Sequence, residues 1–351
     1  MSLSDLVSSQ VISAFLDLET QTEGDPLGVI ASDASADVAP GQSVKIPSMS
    51  DVTVNASESA SVEAITTTSQ TLTVDKPAVI NVGLPWIDSI QGLEGAFAQQ
   101  VAAKCMRQLR EFVFAKVFYL IRDDLIGATN DLGKVFNAGA DALVQADVNA
   151  AEAGITKQKG AIGADLAWVV SPGFRAAAKG LVNYFNPGPG LGVGVVGTLN
   201  GYPVAVSSLL PSSDGDLSVA TSASAIASNV GTQTVAAGHG FIRGGLTRTT
   251  GLTANASAAT VVTATTSTTV SCAITAGDGA QADGVGLQIG ASSLGLLCKR
   301  DWIWYAFAKG RTPEVHLIKR EANAGWALQM TLYYGLQIRN GAGVAVHAPA
   351  V

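Results

Sequence analysis

The chain has little charge, few aromatic residues and no excess of basic side chains. Charged residues make up 14% of its 351 positions and aromatic residues 6%. The net charge of −7 argues against a free-standing nucleic-acid-binding protein, because such a protein normally carries a basic field. A surface with so few charges is either poorly solvated or covered by other subunits, so we expect much of it to be buried between chains.

Cysteine and long apolar runs are also scarce. Cys105, Cys272 and Cys298 are odd in number, far apart and not spaced like metal ligands, which favours a reducing compartment. The first residues have neither the basic nor the apolar region of a signal peptide. The most apolar run, residues 112–121, is too short to span a bilayer and is interrupted by Lys116, so no membrane association is predicted.

Sequence motifs for nucleotide binding or catalysis are weak or missing. Residues 192–197 satisfy GxGxxG literally, but a Pro/Gly-rich stretch precedes them and a strand follows. A dinucleotide site needs a strand before the motif and a helix after it, because the pyrophosphate lies at the helix N-terminus. The motif is therefore interpreted as a loop that enters a strand. Signatures of serine hydrolases, zinc proteases and phosphate-binding loops do not occur.

Metal-binding patterns fail as well. Asp214 and Asp216 begin like a calcium loop, but Val219 and Ala225 stand where that loop needs glycine and glutamate. The three histidines do not have the spacing of metal ligands: His239, His316 and His347. The sequence therefore predicts no catalytic residues, no cofactor and no metal, and the protein is not expected to be an enzyme.

Residues 86–122 form the one long segment with clear helical periodicity. Apolar residues recur at steps of three and four, which predicts one buried stripe: Val101, Cys105, Leu109, Phe112 and Val113. Lys116 is expected to project on the same apolar side. We interpret the segment as a spine helix of about 30 residues on which two dissimilar halves are mounted. An ordinary core helix is the alternative.

The opposite arc of this helix carries a basic cluster, Lys104, Arg107 and Arg110. These side chains are candidates for a surface that faces DNA phosphates or acidic groups of a neighbouring subunit. The alternative is a solvated helix face on which Glu111 is a local partner.

Before the spine, the sequence changes from helical to period-two patterning. Residues 4–18 predict a short amphipathic helix, and residues 19–40 an extended arm without a core of its own. Between residues 41 and 85, apolar and polar side chains alternate on both sides of a Ser/Ala-rich gap, which predicts a long β-hairpin. Because an isolated two-stranded ribbon is marginal in water, the hairpin must pack on its own domain or on a neighbouring subunit.

After the spine, short apolar strands and helices alternate. Residues 138–153 predict a helix that ends at Gly154, and residues 167–172 a buried strand with Pro172 at a helix start. Residues 174–185 predict a short helix and residues 202–208 another strand. This order predicts a small α/β sheet domain.

Residues 212–296 differ from their surroundings, since Thr, Ala, Ser, Gly and Val dominate and no helical period is visible. We interpret them as an inserted antiparallel β-unit of several short strands. The alternative is a disordered low-complexity loop. Regular strands resume after residue 296 and continue to the end of the chain.

Five segments together resemble the major capsid proteins of tailed bacteriophages, which have the Hong Kong 97 type fold that also occurs in encapsulins. Residues 41–91 resemble the extended hairpin that leads into the spine helix, and residues 167–180 the central strand and helix of the axial domain. Residues 196–211 are similar to the family's loop-to-strand passage. Residues 297–310 and 333–346 resemble its final segments. Residues 212–296 depart from the pattern and resemble the inserted β-domain of some short-tailed phage coat proteins.

The resemblance implies an α+β chain with an N-terminal arm, extended β-hairpin, spine helix, small α/β axial domain and inserted β-unit. It divides the chain into six parts: 1–40, N-terminal helix and arm; 41–85, extended hairpin; 86–160, peripheral domain with the spine helix; 161–211, first part of the axial domain; 212–296, inserted β-unit; and 297–351, closing strands of the axial and peripheral domains.

The function implied by the resemblance is self-assembly into an icosahedral shell that encloses phage double-stranded DNA. The implied partners are copies of the chain in hexamers and pentamers, portal and scaffolding proteins, a cement protein, and DNA bound non-specifically on the inner face. The implied location is the virion, after assembly in the host bacterial cytoplasm. Two alternatives remain open, an encapsulin-like compartment for protein cargo and a secreted β-rich adhesin.

Overall fold

The computed structural model describes the chain over residues 31–35, 39–49, 67–84, 94–126, 134–137, 142–157, 166–185, 195–210, 217–227, 230–235, 241–250, 259–266, 268–273, 286–289, 292–299, 302–308, 314–320, 325–338 and 343–349. The predicted helix over residues 4–18, the Pro/Gly stretch 186–194 and the sequence positions Asp214, Asp216 and His239 lie outside these ranges. The described residues form a mixed α+β structure in which strands predominate.

The longest element is helix α1, Glu94–Ile126, which includes most of the predicted spine and continues beyond it. Its buried side chains recur every four residues, at Cys105, Leu109, Val113, Val117 and Ile121. A step of four residues turns about 40° past a full rotation, so the buried stripe winds around the helix axis.

This winding corrects two details of the predicted stripe. Phe112 was expected to be buried but is 43% exposed, because the stripe has rotated away from it by that point in the helix. Lys116 is only half-buried and lies beside Phe112, with its Nζ 5.1 Å from the centre of the phenyl ring, at the margin of the buried stripe.

The residues fall into two compact units, the first of which contains Asp33–Arg110 and Trp304–Gln337. In this unit strands β2 (Ser43–Met49) and β3 (Thr67–Thr73) form an antiparallel pair. Side chains from the pair pack with others from the same unit in a small core: Ile46, Leu72, Val74, Ala306 and Ala308. The base of the predicted hairpin therefore lies on the chain's own core.

A five-stranded sheet contains the remaining strands of the first unit. It comprises β1 (Ala31–Asp33), β4 (Lys76–Leu84), β17 (Ile303–Phe307), β18 (Glu314–Arg320) and β19 (Gly325–Ile338). Strand β4 was expected to belong to the hairpin, but it pairs antiparallel with β19, from Lys76 opposite Tyr334 to Leu84 opposite Trp326. Period-two alternation identifies a strand and its buried face, but it does not identify the partner strand.

The second unit contains a seven-stranded sheet with the order β5-β20-β16-β6-β9-β8-β7. Its strands are β5 (Val135–Phe136), β6 (Leu166–Val170), β7 (Tyr184–Phe185), β8 (Val195–Leu199), β9 (Tyr202–Val206), β16 (Ser292–Lys299) and β20 (Gly343–Pro349). The last three residues of the GxGxxG match lie in β8, so this motif enters a strand and not a helix.

Two helices pack on one face of this sheet, α2 (Gln145–Lys157) and α3 (Pro172–Ala178). Pro172 begins α3 as the sequence predicts, and the Ser171 hydroxyl caps it by accepting a bond from the Phe174 amide at 3.3 Å. The Phe174 ring occupies the space where a side chain at Gly295 would begin, only 2.7 Å from the Cβ position. Glycine in the middle of β16 therefore allows α3 to lie close to the sheet.

The bounds of both helices differ from the predicted ones. Helix α2 was expected to end at Gly154 but continues to Lys157, because Ile155 on the next turn is buried in the same core as Val148 and Ala151. Tertiary packing here outweighs the low helix propensity of glycine. Helix α3 ends at Ala178, and the final residues of the predicted helix form β7 instead.

Residues 217–289 of the second unit contain a closed antiparallel barrel with the order β10-β11-β14-β13-β12-β15. Its strands are β10 (Leu217–Ala227), β11 (Val230–Val235), β12 (Leu246–Thr250), β13 (Ala259–Thr265), β14 (Thr269–Ala273) and β15 (Gly286–Ile289). The barrel has its own core of Val235, Phe241, Val262, Val270 and Cys272. That residues 212–296 are an autonomous insertion stays a prediction.

Candidate interaction surfaces

Helix α1 presents the basic residues that the sequence singles out. Lys104 and Arg107 are exposed, and they flank the buried Cys105 and Met106 on the helix surface. The side chain of Arg110 is not among those described. The structure thus places two of the three candidate residues where a phosphate or a neighbouring subunit can reach them.

An aromatic and cationic cluster follows on the same helix. The Lys116 ammonium lies 5.1 Å from the ring centre of Phe112 and 5.5 Å from that of Tyr119. A cation at this distance from a ring face is attracted by the ring quadrupole, by about 0.5–1 kcal/mol at an exposed site. The charge therefore offsets part of the cost of exposing Phe112 to water, and the cluster offers both charge and aromatic surface to a partner.

The hairpin between β8 and β9 turns at Asn200 and Gly201, which have φ values of 51° and 82°. Positive φ at both central positions is the geometry of a two-residue type I′ turn, for which Asn-Gly is the preferred sequence. Sequence analysis missed this turn, although the Asn-Gly pair between two apolar runs is its usual signal.

A network of amide and carboxylate groups fixes this turn to α2. The Asn200 amide nitrogen donates to Asn149 Oδ1 at 3.0 Å and to Glu152 Oε2 at 3.1 Å. Its oxygen accepts from Gln145 Nε2 at 2.8 Å and from Asn183 Nδ2 at 3.1 Å. Because one side chain joins three segments, the tip of the hairpin is held rigidly at this end of the sheet.

Beside this network the sheet ends in an apolar edge. Strand β7 is the outermost strand, and its Phe185 is 62% exposed, while Val182 in the preceding turn is 85% exposed. An outermost strand has backbone groups that no other strand of the sheet satisfies, and exposed apolar side chains there mark a contact region. This edge is the second candidate surface for a neighbouring chain.

The histidines and cysteines of the described residues do not form a metal site. No group of three or more His, Cys, Asp or Glu side chains among them is placed to hold a metal ion. His316 is exposed on β18, whereas His347 is buried in β20. The three cysteines are free and buried, and burial raises the pKa of each thiol, that of Cys272 to about 11. Such thiols are neutral at physiological pH and poor nucleophiles.

None of the described helices combines the length and the apolar character that a membrane-spanning helix needs.

No protein-family model and no curated protein sequence matches this chain. Solved structures do. The match to the capsid of Ralstonia phage GP4 covers 94% of this chain and 92% of the GP4 chain, at 9% sequence identity and a TM-score of 0.50. The match to the mature capsid of bacteriophage PhiM1 covers 93% of this chain and 87% of the PhiM1 chain, at 15% sequence identity and a TM-score of 0.47. A virus-like particle from Pyrococcus furiosus matches 97% of both chains, at 8% identity and a TM-score of 0.43. The match to the GP4 capsid shows that this chain has a phage capsid fold.

Proposed function

We propose that this chain is a bacteriophage major capsid protein, which self-assembles into an icosahedral shell around double-stranded DNA. The observation that carries the proposal is the capsid fold itself, shared with the Ralstonia phage GP4 capsid over nearly the whole length of both chains. We also propose the finer Hong Kong 97 type arrangement, with the barrel as an inserted domain, since the order of the elements agrees with that resemblance.

The surface chemistry supports assembly from many modest contacts. Only 14% of residues are charged, so desolvating this surface against another copy costs little. A curved shell needs heterologous contacts between copies that close on symmetry axes. The apolar sheet edge at Val182 and Phe185 and the β2–β3 hairpin are two separate surfaces for such contacts. Contacts of this kind add through multivalency even where each is weak.

The basic face of α1 is the proposed contact with DNA. Lys104, Arg107 and Arg110 would bind phosphates without reading base sequence, as expected for a protein that must package any sequence. The net charge of the whole chain, −7, keeps this contact local and weak. The partners implied by this role are hexamers and pentamers of the chain, portal, scaffolding and cement proteins. Its location would be the virion, after assembly in the host cytoplasm.

Electron microscopy and light scattering of the purified full chain test this proposal directly. We expect large closed particles or ring-shaped capsomers, because the weakly charged surface and the hairpin need partners. A well-folded monomer that persists at high concentration under all salt conditions would contradict it. Particles that enclose a specific protein cargo and no nucleic acid would favour the encapsulin-like compartment instead.

A further inference from the structure

The interior of the barrel contains polar side chains without partners. Gln233 on β11 has no exposed surface, and neither its amide oxygen nor its amide nitrogen has a hydrogen-bond partner. Thr265 on β13 is 5% exposed, and its hydroxyl is also unpaired. A buried polar group without a partner destabilises the folded state, and natural proteins rarely leave several of them together. These three atoms therefore indicate that something is bound between them.

Strand register places the two side chains on either side of one residue. Gln233 lies opposite Val270 of β14, and Thr265 lies opposite the same Val270 from the other flank. Two strand spacings separate Gln233 and Thr265, a Cα distance of about 10 Å. Val270 belongs to the barrel core, and all three side chains are buried, so all three point inward. Gln233 and Thr265 thus both face the barrel interior on either side of Val270, and neither side chain bonds to the other.

The surroundings define what this space can hold. The neighbouring core consists of Val235, Phe241, Val262, Val270 and Cys272. The buried polar residues of the barrel, as far as the structure describes it, carry no charge. An ion would need a counter-charge or several dipoles in such an interior. A six-stranded barrel filled by these side chains leaves room only for a small occupant.

We propose that the barrel encloses an ordered water molecule that Gln233 and Thr265 hold across Val270. Water is small and neutral, and it both donates and accepts, which matches an amide oxygen, an amide nitrogen and a hydroxyl. Buried water typically makes two to four hydrogen bonds to groups that would otherwise lack partners. On the outer surface of the barrel, Thr232 and Ser271 satisfy one another directly at 3.0 Å, so the polar pairs outside need no such bridge.

A structure of the full chain at a resolution that shows individual waters tests the site. We expect a density peak within hydrogen-bond distance of the Gln233 amide and Thr265 Oγ1. The absence of a peak there, in a map that shows buried waters elsewhere in the same chain, would overturn the proposal.

Thermal melting of two variants gives a second test whose sign discriminates between the alternatives. If water is present, Thr265→Val lowers the melting temperature, because the water and Gln233 lose a partner. If the hydroxyl is merely unpaired, the same change removes a desolvation penalty and raises the melting temperature. Gln233→Met should also lower the melting temperature if water is present. The melting temperature of the double variant should fall by less than the sum of the two single decreases.

Thr263→Val is the matched control, since Thr263 is an exposed threonine on the same strand and water can replace its 3.1 Å hydrogen bond to the Ser271 carbonyl oxygen. It should change the melting temperature little. Unchanged or raised melting of Thr265→Val, or strictly additive losses in the double variant, would overturn the proposal. The test concerns the barrel interior and can be read whether or not the chain forms shells.

Discussion

Leu109 shows how strongly single positions on the spine helix are constrained. It is 1% exposed, as the four-residue recurrence of apolar side chains predicts, whereas Phe112 three residues later is 43% exposed. The same periodicity therefore identified the buried stripe but assigned one aromatic residue wrongly. Helical periodicity gives a mean direction, and a stripe that repeats every four residues drifts away from that mean along a long helix.

Leu109→Asp should abolish soluble expression. The substitution buries a carboxylate without a partner, which costs several kcal/mol, a large part of the free energy of unfolding of an ordinary domain. Gln108→Asp is the matched control, because Gln108 lies one position before Leu109 on the same helix and is exposed. We expect the control in the soluble fraction at normal yield. Soluble Leu109→Asp protein at the same yield would show that the buried stripe is misplaced.

His347 is a residue whose role could not be predicted from the sequence. Its Nε2 donates to the backbone oxygen of Arg243 at 3.1 Å, and its Nδ1 is buried without a partner. Burial lowers the pKa of this histidine to about 4, although the bond to the Arg243 carbonyl acts in the opposite direction. The contact joins strand β20 to a turn that lies 104 positions earlier in the sequence. No local pattern around a lone histidine indicates such a partner.

This histidine should make the protein less stable as the pH falls from about 6.5 to about 4. In that range the unfolded chain binds a proton on the imidazole and the folded chain does not, so acid favours unfolding. The difference between 6.5 and about 4 corresponds to about 3 kcal/mol, all of it available above pH 6.5. His347→Gln keeps a donor for Arg243 but does not titrate. Between pH 7 and pH 4.5 the melting temperature should therefore fall less steeply for His347→Gln than for the unmodified chain. Identical slopes would show that His347 does not cause the loss of stability in acid.

At the scale of elements, short local sequence signals predicted correctly where a helix or strand lies. They did not predict which strands pair with one another. Pro172 correctly marks the start of α3, because a proline at the first helical position acts locally, and the structure adds the Ser171 hydroxyl as its cap. The alternation in β4 correctly marks a strand, but its partner is β19, some 250 positions away along the chain. Strand pairing over such distances depends on the whole fold.

The exposure of the basic face of α1 could be predicted from the sequence, whereas the exposure of the apolar sheet edge could not. Exposure of Lys104 and Arg107 follows from helical phase, which a sequence shows. The exposure of Phe185 cannot be read from the sequence, because it depends on β7 being the outermost strand of the seven-stranded sheet. The binding role of Lys104, Arg107 and Arg110 stays a prediction.

The β2–β3 hairpin should be cleaved by protease in free subunits and protected in assembled shells. A two-stranded ribbon buries too little of itself to resist local unfolding, although Ile46 and Leu72 anchor its base on the core. Limited proteolysis with mapping of the cut sites measures this. Strand β4 is an internal control, because it pairs along nine residues of β19 and should resist cleavage equally in both states. Equal cleavage of residues 43–73 in both states would show that the hairpin does not lie on a neighbouring subunit.

At the scale of the whole molecule, the chain enters and leaves the barrel at the same end of the central strands of the seven-stranded sheet. Strand β9 ends at Val206, which pairs with Val170 of β6, and Gly295 of β16 pairs with the same Val170 from the other side. Two strand spacings, about 10 Å, therefore separate the strand that precedes the barrel from the strand that follows it. The composition of residues 212–296 predicted strands, but closure into a barrel was not predicted, because closure depends on β10 pairing with both β11 and β15.

Replacing residues 213–290 by a Gly/Ser linker of about eight residues should leave the rest of the chain folded. About eight residues span up to roughly 26 Å, which is ample for this gap, and loop-closure entropy changes by only about 0.6 kcal/mol per doubling of length. The replacement leaves β16 whole, so that Ser292 still pairs with Pro349. We expect the helical circular dichroism signal and cooperative melting to remain. Loss of both would show that the barrel is part of a common core and that residues 212–296 are not an autonomous unit.

The same variant contains its own check on the contact between barrel and sheet. Removing residues 213–290 removes the Arg243 carbonyl, so His347 loses the segment that packs against its ring and gains access to water. The pKa of His347 should then return toward 6.5, and the difference in acid sensitivity between the His347→Gln and His347 forms should shrink in the linker background. Melting of these two linker forms from pH 7 to 4.5 measures the change. An undiminished difference would mean that the barrel does not bury this histidine, even if the chain folds without the barrel.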